Sequence, residues 1–232
     1  MSDALFDVIE VRAGVEAEND RLATLVRDLT REKGIYLINL MASPGAGKTS
    51  VLCRLIDALS PKYRIGVMEA DMDADVDSYT ITAHGAKALQ LRTGTSCHVD
   101  AKMMLRGLDC FQEPLPDVII LENVGNLVCP AEFDIGADLK LMILSVPEGD
   151  EKPLKYPLMF TVSDLMLINK IDTAPIFDFD IKKCEERVHK LNPQMEIFPV
   201  SAKTGDGIAP FIARLDEMIE RTLTEKRKGA EK

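Results

Sequence analysis

The twelve residues Asn39-Leu40-Met41-Ala42-Ser43-Pro44-Gly45-Ala46-Gly47-Lys48-Thr49-Ser50 constrain the chain more than any other stretch. An apolar run from Ile35 to Met41 reads as a short buried strand, a turn carrying glycine and proline follows, and Ser50 to Leu59 has the pattern of a helix. Strand, loop and helix in that order are the setting of a phosphate-binding loop. Gly45, Ala46, Gly47, Lys48, Thr49 and Ser50 form the candidate cradle. Backbone N–H groups at a helix start close around phosphate oxygens, and the helix dipole favours their charge. Lys48 would place its ammonium on the β- and γ-phosphates, and Thr49 would give its hydroxyl to Mg²⁺. Ala42 stands where the pattern G-x-x-x-x-G-K-[ST] has its first glycine, so a glycine-rich turn before an ordinary helix is the competing reading.

A chain of 232 residues can bury a sizeable single core, and one α/β domain is the default. Its formal net charge of −10 weighs against binding along DNA or RNA, where affinity rests on clustered Lys and Arg. A nucleotide needs only a local site. The residues from Met1 to Asp7 contain no basic segment leading into an apolar stretch, and no later run reaches membrane-spanning length, so a cytoplasmic protein with no membrane contact is expected. Cys53, Cys97, Cys110, Cys129 and Cys184 are odd in number and scattered, which suits free thiols or metal ligands better than a disulfide framework.

Ahead of the phosphate loop, Phe6 to Lys33 carries Val8, Val11, Val15, Leu22, Leu25, Val26 and Leu29 at helical spacing, with Gly14 as a candidate break. Such an amphipathic helix docks a partner, or it packs on the domain or extends a dimer surface. Beyond the loop, Pro61 marks a stop, and Tyr63 to Met68 reads as a second strand ending at Glu69-Ala70-Asp71. Asp71, Asp73, Asp75 and Asp77 crowd after it, at the carboxyl end where ligands bind in parallel α/β sheets. They suit Mg²⁺ or a mobile switch, or they form a solvated acidic loop; Asp71 sits closest to the strand. A helical pattern over Tyr79 to His84 and a short strand over Lys87 to Leu91 lead to Cys97-His98. Thiolate and imidazole both ligate Zn²⁺ or Ni²⁺, but neighbours rarely complete a site, so further ligands must come from elsewhere. A structural Cys beside an exposed His is the plainer alternative.

Asp117-Val118-Ile119-Ile120-Leu121 has the continuous apolar character of a strand buried on both faces and ends at Glu122-Asn123-Val124-Gly125-Asn126. An acid there can hold Mg²⁺ through water or orient an attacking water, and Gly125 lets a backbone N–H approach a γ-phosphate. Cys129 follows just past this loop, where metal occupancy and nucleotide state can be physically coupled. Strands over Lys140 to Val146 and Leu165 to Ile168 come next, the second running into Asn169-Lys170-Ile171-Asp172. The carboxylate of Asp172 can accept from the ring N–H and exocyclic amine of guanine, a pair that adenine does not offer, while Asn169 and Lys170 support base and loop. A strand over Met195 to Val200 leads to Ser201-Ala202-Lys203, whose backbone N–H groups can reach the guanine carbonyl oxygen. Ile208 to Leu223 is a closing amphipathic helix, and the charged tail from Thr224 to Lys232 is expected to fray.

These residues resemble a G domain and, more narrowly, the HypB family of nickel-insertion GTPases of hydrogenase maturation, in the SIMIBI class of P-loop GTPases. The most distinctive segments are Thr93-Gly94 with Cys97-His98-Val99-Asp100-Ala101, Glu122 through Asp134, and Ser145-Val146 through Lys155-Tyr156-Pro157. The resemblance implies a three-layer α/β fold with a mostly parallel sheet. The organisation would be a helical extension at 1–34, a GTPase domain at 35–223 and a tail at 224–232. It implies GTP hydrolysis to GDP with Mg²⁺, chemistry at Lys48, Thr49, Asp71, Glu122 and Gly125, and guanine read by Asn169, Lys170 and Asp172. It also implies a Ni²⁺ (or Zn²⁺) site of Cys97, His98 and Cys129 at a nucleotide- or metal-dependent homodimer interface, with other maturation factors and a nickel-enzyme client as partners.

The first 34 residues contain neither Cys nor His, a departure from members with an N-terminal nickel store. The urease GTPase UreG carries a Cys-Pro-His motif, whereas Cys129-Pro130 is followed here by Ala131. The other competing readings are a GTPase serving a different nickel enzyme, such as carbon-monoxide dehydrogenase or urease, a GTP-dependent chaperone of another cofactor enzyme, as in the MeaB-like proteins, and a scaffold that senses GTP without turnover.

Overall fold

The computed structural model describes residues 11–71 and 81–230, with side chains for 16–70 and 81–229. The strand β1 (Tyr36–Ala42) is buried at all seven positions, as a continuous apolar run must be when both faces of its sheet are covered. It is flanked by β4 (Val118–Glu122) and β5 (Leu139–Ser145), both parallel to it. On one side the sheet continues through β2 (Ile65–Asp71) to β3 (Lys87–Arg92), and on the other through β6 (Leu165–Asn169) to β7 (Glu196–Pro199). Every described pairing of this seven-stranded sheet is parallel, so the loops leaving the strands all gather at one carboxyl edge. Chain order reverses at β1, and the crevice at such a switch point is where open α/β sheets bind ligands.

Side chains alternate along β1 between two cores. Tyr36, Ile38 and Leu40 pack with Val51, Leu52 and Leu55 of α2 (Lys48–Leu59) and with Phe211, Leu215 and Ile219 of α8 (Ile208–Ala230). On the opposite face Leu37 packs with Ala23 and Val26 of α1 (Val11–Glu32) and with Met104 and Leu108 of α3 (Ala101–Asp109). A third cluster joins Met142, Leu144 and Met166 to Met159 and Phe160 of α6 (Pro157–Val162) and Cys184 and Val188 of α7 (Ile181–Leu191). Two one-turn helices, α4 (Cys129–Glu132) and α5 (Lys152–Lys155), complete the described helical elements used below. The fold is a three-layer α/β P-loop architecture preceded by a helix.

Several boundaries differ from the sequence expectation. The helix after the phosphate loop begins at Lys48 rather than Ser50, because Gly47 adopts the left-handed conformation that ends the turn. From Val11 onward α1 runs through Gly14 without a break. Leu22, Ala23, Val26 and Leu29 pack it against the domain. Strand β2 begins later than Tyr63 and continues to Asp71. The helical pattern over Tyr79 to His84 is described only from Ile81, and Asp73, Asp75 and Asp77 lie outside the described residues. Helices α3 and α7 are additional to the sequence expectation; Asp100 and Asp180 cap them by accepting from Met103 N and Lys183 N.

The tail is a clear correction. Helix α8 does not stop at Leu223 but extends to Ala230, held by Lys226, which is only 8% exposed. Its Nζ donates to the Ile35 carbonyl at 2.6 Å and to Asp138 Oδ2 at 2.7 Å. Burial pulls the ammonium below its ordinary pKa while Asp138 opposes the shift. Asp138 also accepts from Leu37 N at 2.8 Å, so one ion pair closes the amino ends of β1 and β5. A charged tail therefore becomes a clasp. Replacing Lys226 by Ala leaves this carboxylate without its cation and should cost about 2–4 kcal/mol. The measurement is the urea unfolding midpoint; a change below about 0.5 kcal/mol would remove the clasp from the account.

Candidate functional site

The carboxyl edge of the sheet brings two groups of residues together. At the first, β1 gives way to the turn Ser43 to Gly47, with Gly45 and Gly47 at φ +74° and +96°. A Cβ on Gly47 would lie 2.6 Å from Asn169 Nδ2, so only glycine meets both the backbone and the space required. Lys48 Nζ lies 3.4 Å from the Ser43 carbonyl, curled over the turn where phosphate oxygens would sit. Thr49 Oγ1 donates to Glu122 Oε1 at 3.1 Å, placing a hydroxyl and a buried carboxylate at the junction of α2 and β4. Glu69 of β2 stands in register with Glu122 and is also buried. Two buried carboxylates beside a threonine hydroxyl form an all-oxygen donor set that fits Mg²⁺. Asp71 ends β2 at the same edge, its side chain outside the described residues.

Asn169 and Lys170 turn inward onto the phosphate loop. Asn169 is buried; its Nδ2 donates to the Ala46 carbonyl at 2.9 Å, and its Oδ1 accepts from Ala202 N at 3.1 Å. Lys170, a non-glycine residue at φ +64°, sends Nζ to the Gly45 carbonyl at 2.6 Å. Holding a lysine there costs conformational free energy, which is a mark of functional geometry. Ser201 Oγ donates to Asp172 Oδ1 at 2.7 Å, fixing the carboxylate next to the 201–203 turn. Asn169 and Lys170 thus tie the Gly45 and Ala46 carbonyls of the phosphate loop to the 201–203 turn, and Ser201 ties that turn to Asp172.

The second group contains Cys97, His98 and Cys129, whose ligand atoms all lie within 4.8 Å of one another. Metal–sulfur and metal–imidazole bonds of about 2.0–2.3 Å can close around one ion at that span with small adjustments. A soft set of two sulfurs and one nitrogen fits Ni²⁺ or Zn²⁺ and leaves a fourth position for water or a transferred ligand. His98 stacks on Phe133 with ring centroids 3.9 Å apart, and burial lowers its pKa, favouring the neutral imidazole that binds metal. Hydrogen bonding with Cys129, then burial, raises the Cys97 thiol. Of the remaining cysteines, Cys184 is buried and its thiol is pushed up to about 12 by desolvation, so it packs rather than ligates.

Three asparagines that periodicity and motif spacing did not single out tie these groups together. Asn123 Oδ1 accepts from Val99 N, beside His98, and from Val124 N, while Nδ2 donates to Asn39 Oδ1 inside β1. Asn126 donates its backbone N–H to the Ala42 carbonyl at the root of the phosphate loop. Its side chain meets the Cys97 carbonyl at 3.4 Å and accepts from Val128 N at 2.8 Å. Asn19 of α1 accepts from Ala101 N and donates to the Asp134 carbonyl, and Arg27 pairs with the Asp134 carboxylate. A cleft of about 420 Å³ opens between Ser43, Pro44, Gly125 and Val128 on the phosphate side and Glu148 and Lys152 on the other. A Cβ on Gly125 would come within 3.1 Å of Pro44 and 3.3 Å of Lys48 Nζ, a tight fit that a glycine avoids.

The model of the CobW/HypB/UreG nucleotide-binding domain matches residues 36–199. Over 209 residues the chain is 41% identical to the hydrogenase maturation factor HypB of Azotobacter vinelandii, covering 90% of this chain and 69% of that protein. The chain belongs to the HypB family. A probable HypB of Methanocaldococcus jannaschii is 36% identical over 221 residues, which are 95% of this chain and 98% of that one. The crystal structure of HypB from Helicobacter pylori in complex with nickel superposes with a TM-score of 0.84 at 35% identity, over 89% of this chain and 97% of that chain. As a HypB-family member this protein is a P-loop GTPase. Among its described residues no helix is long and apolar enough to cross a membrane.

Gly47 offers a sharp test of the nucleotide half. Gly47→Ala combines a disfavoured φ with overlap on Asn169 and should weaken GDP binding by about tenfold or more while the fold persists. Fluorescent-GDP titration measures it; an unchanged affinity would contradict the packing described for the loop.

Proposed function

We propose that this protein is a GTP-hydrolysing metallochaperone that delivers nickel during maturation of a nickel enzyme, with [NiFe]-hydrogenase as the client. The observation that carries the reading is the convergence of Cys97, His98 and Cys129 beside the loop that follows Glu122. Asn126 spans from the phosphate loop to this cluster, so a γ-phosphate that shifts Gly125 also acts on Cys97 and Val128. Nickel is cargo here, held in one nucleotide state and released in the other. Zn²⁺ suits the same ligands and is the competing ion.

Catalysis would rest on positioning and charge. The N–H groups from Gly45 to Ser50 and the Lys48 ammonium hold the phosphates, Gly125 leaves room for the terminal one, and Asp172 with the 201–203 turn reads guanine. Thr49 and Glu122 would hold Mg²⁺, with Asp71 at the same edge; the ion supplies neutralisation of charge on the β- and γ-oxygens. Glu122 or Asp71 orients the attacking water. Partners of this reading are GTP, other maturation factors, the client and a second copy of the chain. Leu154 is 63% exposed and Ile176 80%, with Val128, Leu158 and Phe177 also open to solvent, so apolar side chains are available for contact with a second copy.

Two measurements test the reading. Single-turnover assays should find GTP hydrolysis that falls by about a hundredfold or more in Lys48→Ala; absence of turnover in the unaltered protein would favour a scaffold that only senses GTP. Cys97→Ser and Cys129→Ser should each lower Ni²⁺ affinity by about tenfold or more while leaving GDP affinity within about twofold. Ni²⁺ binding that survives loss of Cys97, His98 and Cys129 together would remove the cargo site.

A further inference from the structure

Arg54 stands on α2, beyond the phosphate-binding turn, and its guanidinium reaches across to the 201–203 turn. Its Nε donates to the Ala202 carbonyl at 2.8 Å and its Nη2 to the Lys203 carbonyl at 3.1 Å. A planar fork with two donors matches two successive carbonyls in a way that a lysine cannot. These hydrogen bonds come from a charged donor and are the stronger kind.

The consequence lies in the geometry of the peptide unit. In a trans peptide the C=O of one residue and the N–H of the next point in opposite directions. By drawing the Ala202 carbonyl toward α2, Arg54 turns the Lys203 N–H to the other side. The neighbouring N–H groups are all engaged: Ser201 N donates to the Asp206 carbonyl, Ala202 N to Asn169 Oδ1, Thr204 N to Ser201 Oγ and Gly205 N to the Ser201 carbonyl. Lys203 N–H alone in this turn has no protein acceptor among the described residues. The turn is otherwise closed on itself, so its one outward donor has its direction set by Arg54. Asp172 is fixed beside it through Ser201 Oγ.

We propose that Arg54 is a positioning residue for base recognition, aiming the Lys203 N–H at the 6-carbonyl oxygen of guanine. This rests on the reading of Asp172 and the 201–203 turn as the base site and deepens it. It also makes α2 a mechanical link, since the helix whose first residues flank the phosphates orients the donor that reads the base. A 6-carbonyl is common to guanine and hypoxanthine, whereas adenine presents an amine there. Only guanine carries the 2-amino group that Asp172 would accept.

The test compares GDP, inosine diphosphate and ADP on the full chain. Arg54→Ala should weaken GDP and inosine diphosphate by the same factor, roughly tenfold, while the weak binding of ADP stays unchanged. The GDP:ADP preference then falls and the GDP:inosine diphosphate ratio holds. Arg54→Lys, able to satisfy one carbonyl, should lie between the two proteins, and Arg54→Gln, which keeps most of the stem and one donor, gives the same reading if the alanine variant unfolds. A proportional loss for all three nucleotides would mean a merely structural role, and no loss would remove the role altogether; either overturns the inference. Asp172→Ala provides the separate control, since it should narrow the GDP:inosine diphosphate ratio. If it does not, or if the unaltered protein fails to prefer GDP over ADP, the base site itself is wrongly placed.

Discussion

The buried side-chain amide of Asn169 holds both the phosphate loop and the 201–203 turn, and much of the site depends on that one pair of hydrogen bonds. Its donor takes the Ala46 carbonyl and its acceptor takes Ala202 N, so two loops from opposite sides of β6 are set at a fixed separation. A buried amide pays off its desolvation only when such partners are all met, which makes the spacing stiff. The all-parallel sheet supplies the rest of the constraint. With every strand ending at the same edge, the loops after β1, β4 and β6 have nowhere else to go.

A second set of amides does for the metal-ligand cluster what Asn169 does for the nucleotide side. Asn123 and Asn126 flank Gly125, and between them they reach β1, the phosphate loop, the segment carrying Cys97 and His98, and the start of α4. Helix α1 completes the frame through Asn19 and Arg27, which bind the residues following the Cys-His pair and the Cys-Pro turn. The 125–128 loop is therefore hydrogen-bonded to groups at both sites. In the proposed metallochaperone, this shared loop is the element through which nucleotide state and cargo affinity influence each other.

Much of the layered fold was legible in the sequence because its signals are local. Buried strands such as Val118 to Leu121 read as unbroken apolar runs, and the phosphate-loop turn carries its own glycines. Helices α3 and α7 are not among the sequence expectations, although Ala101, Met104 and Leu108, and Ile181, Cys184 and Val188, stand at helical spacing behind the caps Asp100 and Asp180. The extension of α8 was hidden because composition makes Lys226 a tail residue, while only the folded chain brings Asp138 and the Ile35 carbonyl beneath it. The same reason applies to the site. Motif residues Lys48, Asn169 and Cys97-His98 declare their chemistry by type and order, but Asn123, Asn126, Asn19 and Arg54 act through hydrogen bonds between distant segments. Nothing in their own neighbourhood announces those bonds. Glu69 is a related case, since its proximity to Glu122 comes from strand register.

The most direct measurement of the coupled design is equilibrium Ni²⁺ binding by one preparation in GDP and in a nonhydrolysable GTP analogue, with dimer mass followed in the same samples. A coupling free energy of the usual size gives an affinity ratio of about fivefold or more between the two nucleotide states, with dimerisation changing alongside it. Equal Ni²⁺ affinity in both states would contradict the account, leaving a GTPase whose metal-ligand cluster does not respond to its nucleotide.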